Sequence, residues 1–301
     1  MRTVRLYDGR ELPAVGLGTW GYGADPARRA DEVRALASGL DEGLSVIDTA
    51  EYYAAGGAEQ VVGEAVAGRR ENAFVVTKVW PQCTDAAGVR RAVLGSLARL
   101  QFDYLDAVLI HWPSRGLPPE MWLEPLGRLQ QEGRVRYFGV SNYSERWLRP
   151  TLRALAHGQH IAFNQLPYSP DDRRIEIVTH DLNCTQGIVT MAYSPFGHRG
   201  PQALRGYAHF ERVASARGVS PSQVILNWLT RDQEVIAIPK TTRVEHVRDN
   251  AAALSWDLVA AEVAALSDAL PVARRPYHPA VPPYPTVFRL AYRFEARRHP
   301  S

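Results

Sequence analysis

Four residues that together could donate a proton stand close behind apolar segments of this 301-residue chain: Asp48, Tyr53, Lys78 and His111. Asp48, Lys78 and His111 each end a short run, at 45–48, 73–78 and 105–111. Tyr53 lies five residues beyond Asp48. A free phenol titrates near ~10 and gives up its proton poorly at neutral pH. An ammonium beside it favours the tyrosinate and so makes a better acid. A lysine buried for that purpose needs a counter-ion, which Asp48 can supply. A nearby histidine can hydrogen-bond a carbonyl oxygen and orient it. None of the four is a good nucleophile without activation, and no Ser–His pair is suggested. The group therefore reads as a proton-relay and oxyanion site rather than an acyl-transfer site. Taken singly, Asp48 also reads as a loop cap, His111 as a core histidine and Tyr53 as packing, with Tyr52 as an alternative acid. Their coincidence at three successive segment ends favours chemistry.

Lysine is scarce. Lys78 and Lys240 are the two lysines among 35 Lys and Arg residues. Where arginine has otherwise replaced lysine, a retained lysine points to a need for a compact ammonium that packs and titrates. Lys240 follows the β-branched run 235–239, as Lys78 follows 73–78.

Eight short apolar runs supply candidate strands: 15–19, 45–48, 73–78, 105–111, 135–140, 161–165, 188–192 and 235–239. Between them lie amphipathic stretches. Residues 26–42 end at Gly43, a C-cap residue. Residues 86–100 place Val89, Val93, Leu97 and Leu100 on one helical stripe. Residues 220–230 open with Ser220-Pro221, a cap followed by proline at the first helical position. Strand–helix alternation predicts an α/β fold, a (β/α)8 TIM barrel whose strand ends form the catalytic face. Asp8-Gly9 between alternating segments predicts an N-terminal β-hairpin. The barrel is expected over 1–270. A Pro/Arg-rich C-terminal tail follows over 271–301, in which Val287, Leu290, Ala291 and Phe294 mark one face of a short helix. Residues 197–205 read as a long loop on the catalytic face.

Charge excludes little but narrows the class. A formal net charge of +3 is too small to argue for nucleic acid. The tail holds six arginines and one glutamate, so the rest of the chain is slightly acidic. Cys83 and Cys184 form no metal or redox spacing. The N-terminal residues have no apolar core, and no run approaches the ~18 residues of a membrane span. A cytoplasmic enzyme, monomeric or homo-oligomeric, with no membrane or nucleic-acid partner is expected. Trp20, Trp80 and Trp112 flank the strand ends and are expected to wall a substrate pocket, with Tyr52 beside them. Such walls suit an apolar, aromatic or sugar-like ligand.

From Thr3 to Leu270 the chain resembles the aldo-keto reductase superfamily. Gly16-Leu17-Gly18-Thr19-Trp20 is similar to the family's first strand. Asp48-Thr49-Ala50-Glu51-Tyr52-Tyr53, with Glu59 and Gly63, is similar to its active-site segment. Thr77-Lys78-Val79-Trp80, Leu109-Ile110-His111-Trp112-Pro113, Gly139-Val140-Ser141-Asn142, Asn164 to Pro170 and Ala192-Tyr193-Ser194-Pro195 continue the match in order. The resemblance implies Tyr53, rather than Tyr52, as general acid, Lys78 and Asp48 tuning it, and His111 orienting a carbonyl. It implies NADPH, with NADH as the alternative, bound without a Rossmann fold. Ser141, Asn142 and Gln165 would hold the carboxamide, and Tyr193, followed by Ser194, would stack on the nicotinamide. Lys240, Thr241 and Arg243 would take a 2′-phosphate, with His246, and Asp249 and Asn250 would face the adenine. His246 replaces an arginine of one branch, and His198 a serine of its cofactor-covering loop. The implied reaction is reduction of an aldehyde or ketone. A slow or non-catalytic nicotinamide-binding regulatory subunit is the alternative. The resemblance also implies a C-terminal segment folded over the pocket that helps choose the substrate.

Overall fold

The computed structural model describes residues 1–81, 85–197, 208–270 and 273–279. The chain opens with the expected hairpin, β1 (Thr3–Arg5) antiparallel to β2 (Glu11–Pro13). Gly9 turns it at a φ of 91°, the left-handed region that a glycine enters without a Cβ clash.

Eight parallel strands follow, in spatial order of sequence. They are β3 (Leu17–Gly18), β4 (Val46–Asp48), β5 (Phe74–Val79), β6 (Leu105–Ile110), β7 (Val135–Ser141), β8 (Phe163–Pro167), β9 (Val189–Tyr193) and β10 (Val235–Ala237). The last meets the first: Gly16 N–H donates to Ala237 O at 2.8 Å and Ala237 N–H to Ala14 O at 2.9 Å. A Cβ on Gly18 would lie 2.9 Å from Ile238 O, so this seam needs a glycine. The expected (β/α)8 barrel is therefore closed. Its strands are buried on both faces and read as nearly continuous apolar runs for that reason.

Helices cover the outside. After successive strands come α1 (Arg29–Asp41), α2 (Gly57–Val66), α3 (Ala86–Leu100), α4 (Glu120–Gln131), α5 (Glu145–Ala154) and α6 (Thr179–Thr185). Two helices, α7 (Ala208–Arg217) and α8 (Pro221–Leu229), precede β10, and α9 (Val244–Ala252) and α10 (Ala260–Ala269) follow it. The caps act where the sequence placed them. Ser220 Oγ accepts from Gln223 N–H at 3.1 Å, and Gly43 ends the first helix at a φ of 84°. Val89, Val93, Leu97 and Leu100 are all buried on the inner face of α3.

The alternation of each strand sorts its residues between barrel interior and helix layer. Phe74, Tyr137 and Phe163 fill the lower interior, with ring centroids 5.7 and 5.9 Å from Phe74. The hairpin closes this end, where Arg10 covers the Phe74 ring and Asp8 accepts from the Tyr137 hydroxyl at 2.6 Å. Lys78 stands four residues beyond Phe74 and shares its inward face. Thr77, one residue earlier, faces outward and donates to Glu59 of α2 at 2.6 Å.

Among the described residues no helix is long and apolar enough to cross a membrane. None of their His, Cys, Asp and Glu side chains form a group of three that could hold a metal ion. Cys184 is a free thiol. Cys83, His198, the loop from 198 on and the helix expected at 287–294 lie outside the described residues.

Candidate active site

The even spacing along neighbouring strands that brings Lys78 inward does the same for Asp48, His111, Ser141, Gln165 and Tyr193. Register then aligns them. Lys78 pairs with Leu109, Ser141 with Gln165, and Pro167 with Tyr193. All of these inward residues arrive at the C-terminal rim of the barrel. Tyr53 reaches the same place from the loop after β4. Ala54 and Ala55 follow it at φ values of 48° and 51°, and Gly56 at 95°. Left-handed backbone costs a non-glycine residue about 1–2 kcal/mol, so the fold holds this turn against local preference.

Lys78 Nζ lies 2.9 Å from the Tyr53 hydroxyl, 2.8 Å from an Asp48 carboxylate oxygen and 2.8 Å from Thr49 O. Gln165 Nε2 donates to the Asp48 carboxylate at 2.6 Å. The His111 ring is 5.8 Å from the Tyr53 ring, nearly perpendicular to it. All four expected residues are buried. Burial pushes the Asp48 carboxyl up, and Lys78 opposes this; burial likewise draws the Lys78 ammonium down, and Asp48 opposes that. Each charge offsets the other's desolvation, so removing either leaves a buried unpaired charge. Burial and Lys78 hold His111 well below the ordinary imidazole value, so its ring is neutral.

Burial, then Asp48 and Tyr193, holds the Tyr53 phenol well above the ordinary tyrosine value. Tyr53 is thus held in its protonated form.

The site opens into a cleft of about 950 Å³. Trp20, Trp80 and Trp112 all line it, as expected, and so does Tyr52. Tyr52 stacks on Trp80 at 4.0 Å between ring centroids, while Trp20 lies 6.3 Å away on its other side and meets Tyr53 edge-on at 5.0 Å. Trp20 is 58% exposed and stands at the mouth.

The cleft runs on from the quartet past Ser141, Asn142, Gln165, Tyr193 and Ser194 to Lys240, Thr241, His246, Asp249 and Asn250. Ser141 Oγ donates to Gln165 O at 3.1 Å, and Asn142 Nδ2 to His111 O at 3.1 Å. Lys240 is exposed and, among the described residues, pairs with no carboxylate. Arg243 is not brought to the cleft wall: its guanidinium pairs with Glu245 at 2.5 Å. Asp249 lines the cleft with its carboxylate already engaged by Ser220 Oγ at 2.6 Å and Gln223 Nε2 at 2.7 Å.

Three neighbours escaped the sequence reading. Arg28 donates to Thr242 Oγ1 at 3.1 Å, and with burial its charge draws the Lys240 ammonium down. Glu51 is buried and accepts from the Trp80 backbone N–H at 2.6 Å; burial pushes its carboxyl up to about 7. Tyr277 of the tail places its hydroxyl 2.9 Å from Asn142 Oδ1. No local pattern marks the first or third. Glu51 was visible only as part of the 48–53 motif.

Comparison with known proteins agrees with this geometry. The model of the Aldo/keto reductase family matches residues 14–271. Methylglyoxal reductase YeaE of Escherichia coli (strain K12) is 41% identical over 262 residues, covering 86% of this chain and 92% of its own. Methylglyoxal reductase DkgA of Yersinia pestis is 30% identical over 271 residues, covering 88% and 91%. A crystal structure of an aldo/keto reductase from Klebsiella pneumoniae in complex with NADP and acetate superposes with a TM-score of 0.87 at 40% identity, over 93% of this chain and 99% of that one. With its barrel, its buried Asp–Tyr–Lys–His rim and relatives of this likeness over most of their length, the chain belongs to the aldo/keto reductase family.

Proposed function

We propose that this protein reduces a small aldehyde or ketone to an alcohol with NADPH, and that 2-oxoaldehydes of the methylglyoxal kind are among its substrates. The observation that carries the reading is the Lys78 ammonium joined to both Asp48 and the Tyr53 hydroxyl on the floor of an aromatic-walled cleft. The substrate class is supported by relatives named as methylglyoxal reductases and by the aromatic walls of the cleft.

The residues present fit a nicotinamide dinucleotide. Amide and hydroxyl groups stand at one end of the cleft, and a cation without a carboxylate partner stands at the other. Ser141 and Gln165 would hold the carboxamide, Tyr193, itself held by Asn142, the ring face, and Lys240 the 2′-phosphate. When bound, the reduced nicotinamide supplies a hydride.

The chain's own residues handle the proton. Tyr53 is protonated at rest and gives its proton to the carbonyl oxygen as negative charge develops there. The Lys78 ammonium 2.9 Å away stabilises the tyrosinate left behind. Asp48 holds Lys78 in place, and Gln165 holds Asp48. The neutral His111 ring donates a hydrogen bond to the same oxygen and orients it. Trp20, Tyr52 and Trp80 exclude water from one side.

The test is loss of NADPH absorbance on addition of methylglyoxal and a set of short aldehydes and ketones, with the alcohol products identified by mass. NADPH that binds yet is oxidised by none of them would refute the reading and favour a regulatory nicotinamide-binding protein.

A further inference from the structure

Asn142 lines the cleft, and its side-chain amide makes four hydrogen bonds. Its backbone is left-handed, with a φ of 64°. Its Nδ2 donates to His111 O and Ser141 Oγ, both at 3.1 Å. Its Oδ1 accepts from two phenols, Tyr193 and Tyr277, each at 2.9 Å. An amide oxygen has two lone pairs, so both are taken. All four bonds together permit one orientation of the amide. The flipped amide would turn an NH2 towards two hydroxyls and an oxygen towards a carbonyl.

Tyr277 comes from the C-terminal segment, 135 positions away, and is itself anchored there. Its N–H donates to Arg174 O at 3.2 Å, and the Arg174 guanidinium lies 5.3 Å from its ring centroid. Arg174 is in turn held by both Asp172 carboxylate oxygens at 2.7 Å. The Tyr277 side chain is buried. Backbone, ring and hydroxyl therefore fix one tail residue against the loop after β8 and against the amide at the end of β7.

We infer that Tyr277 is a positioning residue of the nicotinamide subsite: its hydroxyl locks the Asn142 amide, and the locked amide holds the Tyr193 phenol in the arrangement that stacks on the nicotinamide ring. The inference rests on the proposed cofactor reading. It gives the tail a task at the cofactor, apart from any part it plays in choosing substrate.

Binding of two probes to full-length protein tests it. NADPH spans both ends of the cleft; 2′,5′-ADP carries the phosphates of the adenosine end and no nicotinamide. Tyr277→Phe keeps the ring and removes the hydroxyl. It should weaken NADPH binding roughly three- to tenfold, the range of one hydrogen bond, and leave 2′,5′-ADP binding unchanged. In an Asn142→Ala background the same substitution should add no further loss. Equal weakening of both probes, unchanged or tighter NADPH binding, or full additivity with Asn142→Ala would overturn the assignment of Tyr277. Failure of the wild-type protein to bind NADPH would overturn the cofactor reading itself.

Discussion

Lys78 and Tyr53 stand 2.9 Å apart, ammonium to phenol, at the base of the cleft. The phenol is held protonated by burial and by Asp48, and the ammonium is placed to receive the charge once the proton leaves. Tyr53→Phe removes only the transferable proton. Turnover of a carbonyl substrate should fall by roughly 10²–10⁴-fold, with NADPH binding nearly intact. Lys78→Met should also lose turnover, and in addition lose stability, because it strands the Asp48 carboxylate in the interior. Steady-state kinetics with a parallel NADPH titration checks both; a Tyr53→Phe enzyme with wild-type turnover excludes the phenol as the acid.

Glu51 gives the protein a pH-dependent stability. Its folded-state pKa of about 7 lies above the ordinary carboxyl value of 4.5, and burial is the chief cause. The folded protein thus holds a proton that the unfolded chain releases between those values. The sign follows from linkage: this contribution is fully present below pH ~4.5 and is lost as pH rises through about 7. Glu51→Gln keeps an acceptor for Trp80 N–H and removes the titration. Relative to the wild type, Glu51→Gln should gain on the order of 2–3 kcal/mol between pH 4.5 and pH 7. Urea midpoints measured across that range decide it, and a pH-independent difference between the two proteins rules out Glu51 as the group.

Arg28 and Lys240 form a basic corner in which, among the described residues, neither side chain pairs with a carboxylate. Charge-assisted bonds to phosphate are among the stronger ones. Lys240→Met should weaken NADPH binding about tenfold and NADH binding far less, and Arg28→Met should act in the same sense more weakly. Raising salt should shrink both differences as the exposed charges are screened. Equal loss for NADPH and NADH shows that this corner does not read the 2′-phosphate.

Short apolar runs alternating with amphipathic stretches and helix caps were enough to predict the barrel, because strands buried on both faces and helices with one apolar stripe leave local marks. Asp48, Lys78 and His111 were legible because each ends an apolar run; the family resemblance chose Tyr53 over Tyr52 and supplied the remaining rim residues. What spacing could not supply was the balance of charges. The pairing of Lys78 with Asp48 was expected from residue types, but only the folded site shows how far burial raises the Tyr53 phenol. Arg243 carried the right charge in the right motif, yet its guanidinium pairs with Glu245 and it is not among the residues that line the cleft. Arg28 and Tyr277 carried no motif at all. Their partners, Thr242 and Asn142, lie 214 and 135 positions away. Sequence periodicity reports neighbours within a turn or along a strand. Contacts across such separations are set by how the barrel closes and where the tail crosses it, and only the tertiary structure decides those.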